Sequence, residues 1–131
     1  MLSQGIIKQL REIVGRDGVL DAPEDLVAYS IDGTFAEHRP DVVVLPTTTD
    51  QVSRIVALAS RERIPIVPRG MASGLAAASI PFSGGMALTL TRMNRILEID
   101  QANRTARVEA GIITAHLQAE VEKLGLFYPP D

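Results

Sequence analysis

The sequence predicts an α+β fold in which a small parallel βαβ sheet subdomain is followed by the start of a second, mainly antiparallel sheet subdomain. The first observation is a pair of short β-branched runs, at residues 41–46 and 64–67, with a helical pattern between them. Strand, helix and strand within about 25 residues form a βαβ unit with a right-handed crossover. The second observation is three further short runs of strand type, which polar segments separate, at residues 86–90, 96–100 and 105–110.

Two amphipathic segments near the N-terminus predict helices. Ser3 can cap the first helix, which ends at Gly15, and Pro23 opens a short second helix that runs to about Tyr29. Residues 31–40 carry no clear hydrophobic period, so we expect a loop there.

Two more helices follow along the chain. Thr49 or Asp50 caps the third helix, which ends near Arg63, and Thr114 caps the last helix, which reaches Gly125. We expect all 131 residues to form the N-terminal part of one domain, with the first subdomain over about residues 1–67 and the second over 68–131.

Composition excludes several classes of function. The net charge is -3 and the 13 basic residues are scattered, so the sequence lacks the basic stripe that binds nucleic acid. The chain has no cysteine, which excludes disulfides, thiolate metal sites and a cysteine nucleophile. A metal site needs several histidine, cysteine or carboxylate ligands, and His38 and His116 are the only histidines, so we expect no metal site. No apolar run is long enough to cross a bilayer, and we expect a cytoplasmic protein.

The acidic residues of the second half do not suggest an acid/base pair. Glu98, Asp100 and Glu109 fall on predicted strands or at their ends. We interpret them as solvated side chains or as ion-pair partners of nearby arginines, namely Arg92, Arg95 and Arg104. No serine lies in the context of a nucleophile elbow, so a catalytic triad has no positive support.

The most distinctive segment is a loop of glycine, alanine and serine that follows the second β-branched run. Because it has little side chain to pack, its backbone N–H groups can be presented to an anion such as a phosphate. Gly70 and Gly74 can accept a positive φ, and Ser73 adds a hydroxyl donor. Arg69 either offers charge to the anion or bridges to a neighbouring carboxylate. The pattern is neither a Walker A loop nor GxGxxG, and a flexible surface loop is the alternative.

Several strings resemble the PCMH-type (vanillyl-alcohol-oxidase-type) FAD-binding domain of the FAD-linked oxidases. They are PRGMASGLAAASIPFSGGMALTLTRMNRILEIDQANRTARVEAGI at residues 68–112 and GLFYPPD at the end of the chain. The most specific string, RMNRILEID, points to the branch that holds the glycolate oxidase FAD subunit and the D-lactate dehydrogenases, and disfavours a related cell-wall-precursor reductase. Residues 41–131 are covered well and the first 40 loosely.

The resemblance implies a set of cofactor-binding residues. The pyrophosphate of FAD would lie against the loop residues Arg69, Gly70, Met71, Ala72, Ser73 and Gly74. Pro46 matches a position near the adenine, and Pro130 and Asp131 match the start of a further loop along the cofactor. Because residues 69–79 contain no histidine, we expect FAD to be bound noncovalently.

The resemblance also implies an activity and partners. Members of this branch oxidise 2-hydroxy acids, pass a hydride to the flavin N5 and send electrons to another acceptor. A multi-subunit complex at the inner face of a membrane is the implied setting. No catalytic or substrate-binding residue can be assigned in this chain.

Two features favour an alternative, a truncated or decayed module that binds no flavin. The family usually carries glycine where this chain has Ala72, Ala77 and Ala78, and a Cβ at a positive φ costs on the order of 1 kcal/mol. The apolar helix exit and proline pair at the end predict a fragment of a longer protein, which we expect to be inactive alone. Such a fragment would expose Phe127, Tyr128 and the strand edge near Val108, and could form a homodimer.

Overall fold

The computed structural model describes residues 2–130 and divides the chain into two compact units, Met1–Arg92 and Met93–Asp131. The predicted α+β class is confirmed: the first unit contains a four-stranded sheet and the second a two-stranded antiparallel sheet. The boundary between the units differs from the one expected near residue 67. Strand β4 (Met86–Thr89) pairs with two strands of the first sheet and so belongs to the first unit.

The sheet of the first unit has the strand order β1-β2-β4-β3, where β1 is Val19–Leu20, β2 is Val42–Val44 and β3 is Ile66–Arg69. β4 is parallel to both β2 and β3, while β1 is an antiparallel edge strand. The predicted strand–helix–strand unit is therefore present. Its two strands are not neighbours, however, because β4 lies between them.

The helices of the first unit are α1 (Gln4–Val14), a 3₁₀ turn (Arg16–Gly18), α2 (Pro23–Val27) and α3 (Thr49–Glu62). α2 ends two residues before the expected Tyr29. The segment that was expected to be a loop, residues 31–40, contains no helix or strand, only an isolated bridge between Ile31 and Glu37.

Side-chain capping explains where the two long helices begin. Ser3 caps α1 as expected, because its Oγ accepts a hydrogen bond from the N–H of Ile6 at 3.4 Å. The cap of α3 is Thr48 rather than Thr49 or Asp50. Thr48 Oγ1 accepts from the N–H of Gln51 at 3.2 Å, one residue earlier than the sequence pattern suggested.

The hydrophobic core lies on both faces of this sheet. Because side chains alternate between the two faces along β2, Val42 and Val44 pack in one cluster, which includes Leu10 of α1 and Ile55 of α3. The residue between them, Val43, belongs to a smaller cluster on the opposite face with three other buried side chains: Leu26, Leu45 and Ala87.

The second unit consists of β5 (Ile96–Asp100), β6 (Thr105–Val108) and α4 (Thr114–Glu122). β5 and β6 form the predicted antiparallel hairpin, with an irregularity in register between Ile96 and Glu98. Thr114 is the first residue of α4 and not its cap; the cap position is Ile113, which has no side-chain capping bond. The helix ends at Glu122, before the expected Gly125.

Acidic side chains of the second unit pair mostly with neighbours. Arg95 donates from its backbone N–H and its guanidinium to Glu109, with the shortest contact at 2.7 Å. Glu98 pairs with Arg107 at 3.4 Å, and Asp100 accepts from the side chain and backbone of Asn103. The expected ion pair with Arg95 is thus present for Glu109. Glu98 and Asp100 instead pair with Arg107 and Asn103, which the sequence did not predict.

None of the helices within residues 2–130 has the length and apolar content that a bilayer crossing requires.

We predict that Ile55→Ala destabilises the first unit by about 2–5 kcal/mol, because it leaves a cavity in the core. The matched control is Val56→Ala on the same helix, which we expect to change the free energy of unfolding by less than about 0.5 kcal/mol. Ile55 is fully buried whereas Val56 is 44% exposed. Urea unfolding followed by circular dichroism measures both, and equal effects would contradict the packing described here.

We predict that Glu109 titrates below its ordinary pKa of 4.5, because the Arg95 side chain donates hydrogen bonds to its carboxylate and lowers its pKa. Since the folded pKa is lowered, the stabilisation is present above pH 4.5 and is lost as the pH falls through the folded value. Carboxyl NMR titration checks this, and Arg95→Met should raise the Glu109 pKa toward its ordinary value, while the backbone N–H of residue 95 keeps part of the lowering. A Glu109 pKa that Arg95→Met leaves unchanged would contradict the assigned cause.

Candidate functional site

The loop at residues 70–79 begins where β3 ends and contains no helix or strand. Its backbone N–H groups from residue 70 to 78 make no hydrogen bond to any residue that the structure describes. Carbonyls near its ends are paired, since Arg69 accepts from Leu90 and Ala77 accepts from Ile80. The loop therefore presents successive unpaired donors, as the sequence predicted for an anion site.

The two glycines of the loop leave room beside this backbone. A Cβ built on Gly70 or Gly74 meets no heavy atom of the described residues within 4 Å. Neither glycine adopts a positive φ, so the expected reason for glycine at these positions is wrong. Within the loop, the residues with left-handed backbone conformations are Ala72, with φ 56°, and Ala77, with φ 54°. Of the three alanines that replace family glycines, these two carry the expected backbone strain, and Ala78 does not.

Arg69 does not extend freely into the loop. Its side chain is 8% exposed, and its Nη1 donates to the carbonyl of Tyr29 at 2.9 Å and to that of Ile31 at 3.4 Å. The guanidinium carbon lies 5.2 Å from the centre of the Tyr29 ring, within cation–π range. Burial lowers the pKa of Arg69, and the nearby Tyr29 and Asp32 oppose that shift. The side chain thus binds backbone carbonyls rather than the carboxylate bridge considered as an alternative.

Two buried polar atoms lie at the end of the parallel strands. Arg69 Nε and Thr89 Oγ1 are buried and have no hydrogen-bond partner among the described residues. Arg69 and Thr89 are register partners on β3 and β4, so both side chains point to the same face of the sheet. Ligands of open α/β sheets commonly bind at this carboxyl edge. Sequence reasoning missed Thr89, which looks like an ordinary strand residue.

Other predicted site residues are placed less favourably or lie elsewhere. Pro46 is fully buried after β2, so its side chain offers no free surface to an adenine. Pro130 is in the second unit, where its carbonyl accepts from Gln118 Nε2 at 2.9 Å. Asp131 lies outside the described residues. His38 and His116 join no group of potential metal ligands within residues 2–130.

The second unit contains an open groove of about 510 Å³ between the hairpin, α4 and the C-terminal segment. The side chains of Phe127 and Tyr128 line it, and Phe127 is 76% exposed. Gln118 of α4 donates to the carbonyl of Tyr128 at 3.3 Å, so this segment folds back along its own helix while leaving apolar surface uncovered.

Comparisons with known proteins bear on this site. The family model described as "FAD binding domain" matches residues 40–131. The chain is 41% identical to the glycolate oxidase subunit GlcD of Bacillus subtilis (strain 168), over 100% of the chain and 28% of that protein. It is 36% identical to a D-lactate dehydrogenase of Anaerostipes hadrus, over 74% of the chain and 20% of that protein.

Among solved structures, p-cresol methylhydroxylase with substrate bound matches with a TM-score of 0.79 and 29% identity. This match covers 95% of the chain and 26% of the solved chain. The chain therefore spans less than a third of the length of each of these proteins.

We predict that Ala72→Gly and Ala77→Gly leave the free energy of unfolding unchanged or raise it by up to about 1 kcal/mol. Relief of the left-handed strain offsets the extra entropy of the unfolded chain. The matched control is Ala78→Gly, which relieves no such strain and should destabilise by about 0.5–1 kcal/mol. Chemical denaturation of the three variants measures this. Equal destabilisation by all three would contradict the left-handed assignment.

Proposed function

The chain belongs to the FAD binding domain family, and we propose that it is the FAD-binding portion of a flavin-dependent oxidoreductase that oxidises a 2-hydroxy acid of the glycolate or D-lactate type. The resemblance to PCMH-type FAD-linked oxidases and the assignment of FAD as the cofactor are confirmed by the family match and the relatives. The 2-hydroxy acid is supported by the names of the two relatives, glycolate oxidase subunit and D-lactate dehydrogenase.

The observation that carries this proposal is the run of unpaired N–H groups at residues 70–78. A pyrophosphate is a doubly charged anion whose oxygens need several donors, and successive amides in a bend supply them without side-chain entropy. The open space beside Gly70 and Gly74 lets phosphate oxygens approach the backbone. The residues present therefore fit the group.

The geometry of the loop supports a role for each group of its donors. We propose that the amides of residues 70–74 contact the pyrophosphate, with Ser73 adding its hydroxyl, and that FAD is bound noncovalently. When bound, FAD supplies the two-electron redox chemistry. Arg69 contributes positive charge next to the loop, while its Nη1 donates to the carbonyls of Tyr29 and Ile31.

We propose that the 131 residues alone do not oxidise substrate. The relatives are more than three times as long, and no general acid, base or substrate contact can be assigned in this chain. A test for 2-hydroxy-acid oxidation with an artificial electron acceptor, in the presence of added FAD, would overturn this if it gave turnover.

The proposal extends to partners and location. One relative is named as a subunit, which supports partner oxidase subunits for this protein. We also propose a cytoplasmic location, peripheral to the inner membrane through such subunits, which cell fractionation tests. The exposed apolar surface at Phe127 supports self-association of this chain, which light scattering tests.

A second candidate function is a module that keeps the fold but binds no flavin. The left-handed Ala72 favours it, because its methyl group lies in the segment proposed to contact the phosphates. FAD titration separates the two candidates.

We predict that the chain binds FAD weakly, quenching or enhancing its fluorescence on titration but losing it on desalting. Gly74→Ala should weaken binding by at least about tenfold, because the new methyl group occupies the space that a phosphate oxygen needs. Gly5→Ala is the matched control, since Gly5 lies in α1 and a Cβ added there has, among the described residues outside its own helix backbone, only Ser3 Oγ nearby, at 3.9 Å. No response of the unaltered chain to millimolar FAD would favour the flavin-free module. Equal affinity of the two variants would exclude the loop as the phosphate site.

A further inference from the structure

A short segment before the first sheet's central strands, residues 29–34, lies against the glycine-rich loop. We call this segment the brace. We infer that the brace holds loop 70–78 in its binding conformation, and that Arg69 is a positioning residue that anchors the brace rather than a phosphate ligand. The inference rests on the proposed role of the loop in binding FAD, and adds to it the residues that shape the site.

The first contact is at the beginning of the loop. Arg69 is the last residue of β3, and its Nη1 reaches the carbonyls of Tyr29 and Ile31 at 2.9 and 3.4 Å. The Tyr29 ring also lies in cation–π range of the guanidinium. Because hydrogen bonds from a charged donor are stronger than neutral ones, the buried Arg69 fixes the brace relative to the strand from which the loop departs.

The second contact is at the middle of the loop. A Cβ added to Gly33 would lie 2.8 Å from the carbonyl oxygen of Gly74 and 3.0 Å from that of Ser73. It would also lie 3.0 Å from Leu75 Cδ2. The backbone of the brace therefore touches the backbone of the loop, at a distance that only glycine permits. Gly33 itself does not have a positive φ, so this close approach is the reason for glycine there.

Within the brace, Asp32 is held by Thr34. Its Oδ1 accepts hydrogen bonds from Thr34 Oγ1 at 2.6 Å and from the Thr34 N–H at 2.9 Å. These bonds lower the pKa of Asp32, and Arg69 and the backbone N–H of Ser79 lower it further. The hydrogen bonds from Thr34 and the nearby charge of Arg69 thus both favour the ionised form of the Asp32 carboxylate.

The brace is itself held in place by contacts with residues that flank it in the sequence. The Ser30 carbonyl accepts from the N–H of His38 at 2.9 Å, and Ser30 Oγ donates to the carbonyl of Val27 at 2.8 Å. Ile31 and Glu37 form a β-bridge that closes the turn. The brace can thus act as a fixed surface for its neighbour.

The loop needs such a surface because it does not define its own shape. Residues 70–78 donate no backbone hydrogen bond within the described chain, and two of them have left-handed alanine conformations that cost energy. Contacts with residues outside the loop must therefore stabilise this conformation. If the donors are aligned before FAD arrives, less conformational entropy is lost on binding.

The test compares Gly33→Ala with Gly5→Ala in the 131-residue chain, using two measurements. The first is the ¹H–¹⁵N amide spectrum without ligand: the signals of residues 70–78 should shift in Gly33→Ala and stay in place in Gly5→Ala. The second is FAD affinity, which should fall by about tenfold or more in Gly33→Ala only, with the urea midpoint of unfolding preserved. Unchanged loop amides in a folded Gly33→Ala would overturn the inference.

A second pair of variants separates positioning from direct phosphate contact. Arg69→Met removes the donors to Tyr29 and Ile31 and should shift the loop amides before any FAD is added, whereas Arg69→Lys keeps the charge and should shift them less. If Arg69 instead touches phosphate, Arg69→Met would lower affinity while the ligand-free loop spectrum stays the same, and the inference would be wrong. If the unaltered chain binds no FAD, the proposed function fails, but the ligand-free spectra of both pairs still decide whether the brace shapes the loop.

Discussion

The pairing of β4 between β2 and β3 is the constraint on which the rest of the first unit depends. All four residues of β4 are buried, because strands flank both of its edges and helices or loops cover both of its faces. The chain leading into β4 is also closely packed: a Cβ on Gly85 would clash with the carbonyl oxygen of Pro65. Since β3 and β4 are parallel, their carboxyl ends meet at one edge, and Arg69 and Thr89 come to lie side by side there.

Local patterns were sufficient to predict most elements. The β-branched run Val42–Val44, the helix that follows it and the hairpin turns all depend on neighbours within a few residues, and each is present. Long-range pairing could not be read in the same way. β4 resembles the strands after it in sequence but inserts back between β2 and β3, because its apolar residues Met86 and Ala87 complete the two core clusters.

The loop was predicted from its composition, but its conformation was not. Glycine indicates that the backbone is free to adopt a positive φ, but it does not show which residue of the loop does so. In this loop the positive φ occurs at Ala72 and Ala77. The brace was missed because residues 29–34 carry no hydrophobic period. The turn-forming residues Asp32 and Gly33 were a usable signal, since aspartate and glycine together are typical of tight turns. What those two residues contact could be learned only from the fold.

The two left-handed alanines have a consequence for the unfolded and flexible states of the loop. A methyl group removes many of the backbone conformations that glycine samples, so a loop with Ala72 and Ala77 has fewer alternative shapes than one with glycine there. A diphosphate reaching such a loop encounters a narrow ensemble. This chain thus combines backbone strain at Ala72 and Ala77 with a smaller loss of conformational entropy when the loop is ordered. A loop with glycine at both positions would have neither the strain nor the reduced entropy loss.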